Sequence, residues 1–159
     1  MTSTEVKAIV SPVVALDPAF FETSIQYIED TLISCILTVD YYNDLLAKVA
    51  LLPGTPLSAN DQKVYDRVLN AEAYAVAFAG YTKDLERKTN NQGMMENHTQ
   101  WSKSAAATSA KRTLKDIKQR EFDYCLILGN FLIDNAVDYP LFDVDAIVYE
   151  PNFRRFFSI

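Results

Sequence analysis

Only four of the 159 residues are glycine: Gly54, Gly80, Gly93 and Gly129. A sandwich or barrel with many tight turns needs more of the one residue that takes left-handed backbone freely. A phosphate-cradling loop needs its glycines clustered, and no such motif is present. A chain that turns this rarely is best read as helical. Hydrophobic residues make up 49% and charged residues 23%. Wholesale disorder is thereby excluded, and one domain, or one domain with an arm, has enough apolar side chains for a core.

Charge and reactive residues bound the chemistry. A net charge of -6 argues against binding nucleic acid by bulk charge. Cys35 and Cys125 stand far apart in apolar sequence and read as reduced, buried small hydrophobes. The single histidine, His98, has no CxxC or HxxxH partner, so neither a zinc site nor any other metal or cofactor site is expected. A Cys–His catalytic pair would require a cysteine to leave its apolar setting. Carboxylates are plentiful, but no signature singles out an acid/base pair, so the chain is not expected to be an enzyme. No signal peptide is read in the opening MTSTEVK, and no apolar run reaches the roughly 20 residues of a membrane span.

Helical punctuation runs along the chain. Thr2 and Glu5 match a capping box, with Val6, Ile9 and Val10 as an apolar stripe and Pro12 as its end. Asp17-Pro18 opens a second helix whose buried face is Phe21, Ile25, Ile28 and Leu32. The apolar stretch 33–38 is expected to break it, because Thr38-Val39-Asp40 looks like a new start. The helix that follows should face Tyr42, Leu45, Leu46 and Val49 inward. After a Pro53-Gly54-Thr55-Pro56 loop, Ser58 and Asp61 cap a long helix with Val64, Val68, Ala71, Ala75, Phe78 and Leu85 inward. Its alanines fit close helix approach and high helix propensity equally well.

Residues 88–103 form a polar break, read as a protruding loop or small hairpin. Asn91, Gly93, Met94, Met95 and Trp101 are its candidate contacts to a neighbouring subunit. A long final helix is expected from Ser104 to Asn135, capped by Ser102 or Ser104 and uninterrupted before Pro140. Its seam is Leu114, Ile117, Tyr124, Leu128 and Phe131, with Cys125 and Leu132 alongside. The organisation is therefore an all-α helical bundle over 1–140 and an extended C-terminal arm over 141–159. The arm begins acidic and ends with Phe153, Arg154, Arg155, Phe156 and Phe157, residues suited to docking on a partner or neighbour. Folding back onto the core is the competing reading of the same aromatics.

Three groups of residues also resemble a known family. One is the EVK start leading to residues 25–30 (IQYIED) and 36–46 (ILTVDYYNDLL). Another is residues 89–93 (TNNQG), then 96–98 (ENH) and Ser104-Ala105. The last is residues 122–132 (FDYCLILGNFL) running into 138–140 (DYP). In order and spacing, across residues 3–142, they are similar to head–tail connector (adaptor, or neck ring) proteins of tailed phages of Bacteroidetes hosts, including crAss-like phages. The chain departs from that family at Cys35, where it usually has Pro, and at Thr38 or Val39, where it has Gly.

The resemblance implies a structural virion protein at the head–tail interface, assembled in the host cytoplasm. It implies a self-associated ring, usually of twelve copies, beneath the portal protein and above a tail, stopper or nozzle protein. Genomic DNA would pass through the lumen without sequence-specific binding, and an acidic wall suits such a conduit. Alternatives are another neck or tail-completion ring protein, or a helical regulatory module that binds DNA or protein through its Lys103–Arg120 face.

Overall fold

The computed structural model describes residues 2–10, 18–52, 54–92 and 100–142. Among them there is no strand: the protein is an all-α helical bundle. Helix α1 spans Ser3–Val10, α2 Pro18–Ile28, α3 Ser34–Leu37, α4 Val39–Val49, α5 Ala59–Gln92 and α6 Gln100–Asp134. A π-helical turn, Glu29–Ile33, joins α2 to α3, and a 3₁₀ turn, Ala136–Asp138, follows α6.

Two starts are closed by side chains at the expected places. The Thr2 backbone N–H donates to Glu5 Oε2 at 2.7 Å, and the Glu5 N–H donates back to Thr2 Oγ1 at 3.3 Å. This reciprocal box satisfies donors that the first helical turn cannot. Ahead of α5, the Asp61 N–H donates to Ser58 Oγ at 3.1 Å, and the Ser58 hydroxyl to Asp61 Oδ2 at 2.7 Å.

Helix α5 is the axis of the bundle. Seven consecutive residues from Ala71 to Ala77 are buried, so this stretch is covered on every side. Helices α1 and α2 pack on it, and α6 runs antiparallel along it. Small residues at Ala71, Ala73, Ala75 and Ala77 let neighbours approach the same few turns from several directions. Close packing, more than propensity, accounts for the alanines here. The seam from α6 is Ile117, Cys125, Leu128 and Leu132, all fully buried, with Val64, Val68 and Val76 from α5 in the same core. Each large aliphatic so placed contributes about 1.5–3 kcal/mol.

The chain departs from its sequence pattern in five places. The apolar stretch 33–38 breaks the helix only at its last residue, Thr38, with α4 starting at Val39 where the new start is expected. Up to there the π turn carries the helix on into α3, burying Ile33, Ile36 and Leu37 together. Thr38 has φ 65° and ψ 148°, a region that suits glycine and strains a β-branched residue. On α4, Leu46 is turned to solvent (41% exposed) while Tyr41 takes the inward place at 3%. The rings of Tyr139 and Phe142 stand over Tyr41 at centroid distances of 5.7 and 6.5 Å, so a contact distant in sequence decides which face of α4 is covered.

The polar break is also shorter than 88–103. Polar residues 88–92 propagate α5 to Gln92, and α6 begins at Gln100, before either serine expected to cap it. Once started, a helix needs no apolar face to continue for a turn or two. Helices α5 and α6, of 34 and 35 residues, are each about 50 Å long. Finally, the body reaches past residue 140: Phe142 is buried, and the Thr38 hydroxyl donates to the Leu141 carbonyl at 3.4 Å. Cys125 is a free, buried thiol.

Candidate functional site

The residues proposed for subunit and partner contacts fall mostly outside the described part of the protein. Phe153, Arg154, Arg155, Phe156 and Phe157 lie there, as do Gly93, Met94 and Met95. Asn91 belongs to the last turn of α5 and Trp101 to the first turn of α6, so both are helical rather than loop residues.

Aromatic residues on α5 and α6 carry cations along the seam. Arg67 lies 3.9 Å above the Phe131 ring, and Lys118 5.7 Å above Phe78. Tyr74 stacks on Tyr124 with centroids 5.1 Å apart and planes 14° from parallel. Two carboxyls are buried on these helices. Burial pushes Glu121 up to about 7, with Lys118 drawing it back. Its Oε2 has no hydrogen-bond partner. Burial likewise raises Cys125, one turn away, and Glu121 adds to that rise. Glu72 is raised by burial and then by its contact with the Glu29 carboxyl.

A cleft of about 220 Å³ opens where α4, the start of α5 and residues 138–141 meet. It is lined by Tyr41, Asp44, Lys48, Asp61, Asp138 and Tyr139 with their neighbours. The Lys48 ammonium lies 2.7 Å from Asp44 Oδ2 and 3.2 Å from Asp61 Oδ2. The Tyr139 hydroxyl donates to the Asn60 carbonyl at 3.3 Å. The Tyr41 hydroxyl is buried without a hydrogen-bond partner. Burial raises that phenol most, and the charges of Asp61, Tyr139 and Asp44, all cleft residues, raise it further. The sequence reading reached this site only through the Ser58–Asp61 cap, both of whose residues line it. Its other members come from separate stretches of chain.

Among the described residues, exposed apolar side chains gather on two segments, besides Tyr27 on α2. Val39, Leu46, Leu51 and Leu52 are exposed on α4 and the turn after it. Ile127, Ile133, Val137 and Leu141 are exposed along the end of α6 and beyond, Val137 almost completely. Among the described residues no group of three His, Cys, Asp or Glu side chains is placed to hold a metal ion. No helix among them is long and apolar enough to cross a membrane.

No curated protein matches the chain, and no solved structure matches it. A family of unknown function, DUF6712, matches residues 28–147, from the last residue of α2 to beyond Phe142. With three quarters of its length inside that match, the chain belongs to the DUF6712 family.

Proposed function

We propose that the protein is a structural component of a phage virion: a head–tail connector that forms a ring under the portal vertex and extends the DNA channel toward the tail. The observation that carries the reading is the pair of exposed apolar segments on the helical body. A closed ring is built from heterologous contacts, in which each subunit offers two different surfaces. Val39, Leu46, Leu51 and Leu52 offer one set of side chains, and Ile127, Ile133, Val137 and Leu141 another. The order of motifs shared with connector proteins supports the same role, and the net charge of -6 suits a wall along which DNA slides. The role is architectural rather than catalytic. The aromatic arm residues Phe153, Phe156 and Phe157 serve as the attachment to the portal, and Met94 and Met95 as a contact between neighbours.

The test is assembly. Purified chain should stay monomeric or weakly associated alone, and close into a ring, near twelve copies by native mass, when portal is added. Removing residues 151–159 should abolish attachment with little change in melting temperature. A chain that remains monomeric at high concentration with portal present would end this reading. DNA binding that falls steeply with salt and requires the exposed Lys111, Arg112 and Lys115 would favour the regulatory-module alternative instead.

A further inference from the structure

The cleft between α4 and residues 138–141 carries more negative charge than it neutralises. Asp44, Asp61 and the exposed Asp138 line it beside one ammonium, Lys48, a surplus of two carboxylates. Lys48 is already shared between Asp44 and Asp61, Ser58 is bonded to Asp61, and Tyr139 to Asn60. The buried Tyr41 hydroxyl is left without a partner. A group that answers both features at once is cationic, donates hydrogen bonds to a carboxylate and to a phenol oxygen, and packs on an aromatic wall. A guanidinium meets all three needs, and an ammonium meets the last less well.

The same chain already uses this chemistry twice. Arg120 donates to the Tyr74 hydroxyl at 3.2 Å, and Arg67 sits on Phe131, whose ring is 6.0 Å from that of Tyr139. The cleft is smaller than the roughly 300–1,000 Å³ of small-molecule sites, a size for one side chain. The chain leaves the cleft at Leu141, and Arg154 and Arg155 follow in sequence at a distance that extended backbone spans with about 45 Å of reach. We propose that the cleft is an arginine-binding site, occupied in the unassembled protein by one guanidinium of the Arg154–Arg155 segment of its own chain. Seating it there holds the arm against its own body until a stronger partner takes it. The site stands whether or not the protein builds a ring.

Trypsin reads the site in the full-length chain, because cleavage after Arg154 or Arg155 needs a free arginine. The expected result is cleavage there about tenfold slower in the wild type than in Tyr41→Phe/Asp138→Asn, at equal helical content. High salt should speed the wild type toward the variant. Independently, the NMR amide signals of Asp44, Asn60 and Leu141 should move in Arg154→Gln/Arg155→Gln, by an amount unchanged on dilution. Equal cleavage rates, or cleft amides that do not move when both arginines are replaced, would overturn the proposal. Shifts that fade on dilution would overturn the assignment to the same chain.

Discussion

The guanidinium of Arg120 sits 5.7 Å from the centroid of the Tyr74 ring and donates a hydrogen bond to that tyrosine's hydroxyl at 3.2 Å. One surface cation is thus tied to a residue in the most enclosed part of α5, and Tyr74 in turn stacks on Tyr124 of α6. Arg120 itself is exposed, so solvent screens the contact and its worth is modest. In a double-mutant cycle of Arg120→Ala and Tyr74→Phe, urea unfolding should give a coupling of about 0.5–1 kcal/mol. Additive effects would show that the pair is geometric only.

The crowding around α5 predicts a sharp asymmetry. Ala73→Leu should destabilise the protein by about 1–3 kcal/mol through overpacking, although leucine forms helix well. The same substitution at exposed Ala47 on α4 should be nearly neutral. On α6, Ile117→Ala should cost about 2–5 kcal/mol by opening a cavity. A tolerated leucine at position 73 would place α5 at the rim of the bundle instead of its centre.

Glu121 sets a pH dependence with a definite sign. Its carboxyl is raised from 4.5 to about 7 by burial, so the folded protein holds a proton that the unfolded chain releases. Stability from this group is greatest below about pH 4.5, declines between there and about 7, and is flat above. The full penalty is of order 3 kcal/mol. Glu72, also raised by burial, acts in the same direction. Thermal melts of Glu121→Gln should show a gain at pH 8 that shrinks toward pH 5. A gain equal at both values would mean that ionisation is not the cause.

At Thr38 the chain turns between two helices with a residue unsuited to the conformation. Thr38→Gly removes that strain and loses only the long hydrogen bond to the Leu141 carbonyl. A net gain of about 1 kcal/mol is expected, after allowing for the greater freedom of glycine in the unfolded chain. Thr38→Ala, which loses the hydroxyl and keeps the strain, should instead lower stability. A destabilised glycine variant would show that the threonine side chain holds the corner.

Signals confined to one turn of helix were legible in the sequence. The Thr2–Glu5 and Ser58–Asp61 pairs each join residues three apart, and both form as their spacing implied. The Val64–Val68 stripe and the Ile117–Leu128 seam follow a period that any helix imposes. What escaped was fixed by partners far along the chain. Tyr41 displaced Leu46 from the inward face because Tyr139 and Phe142 close over it. The new start at Thr38-Val39 was legible, but not that the Thr38 hydroxyl reaches a carbonyl 103 residues away. The cleft was invisible for the same reason: Asp44, Asp61 and Asp138 are brought together by packing alone.

The wide turn at Glu29–Ile33 has a consequence for reading relatives of this chain. A π-helical turn accommodates an extra residue without ending a helix. Removing one residue there would let α2 and α3 fuse into a regular helix while Ile36 and Leu37 keep their bearing on the core. Keeping the residue but tightening the turn would swing both side chains about 100° away. A one-residue gap between positions 29 and 33 in a related sequence therefore marks conserved architecture, whereas the same gap within α5 would rotate everything after it out of register.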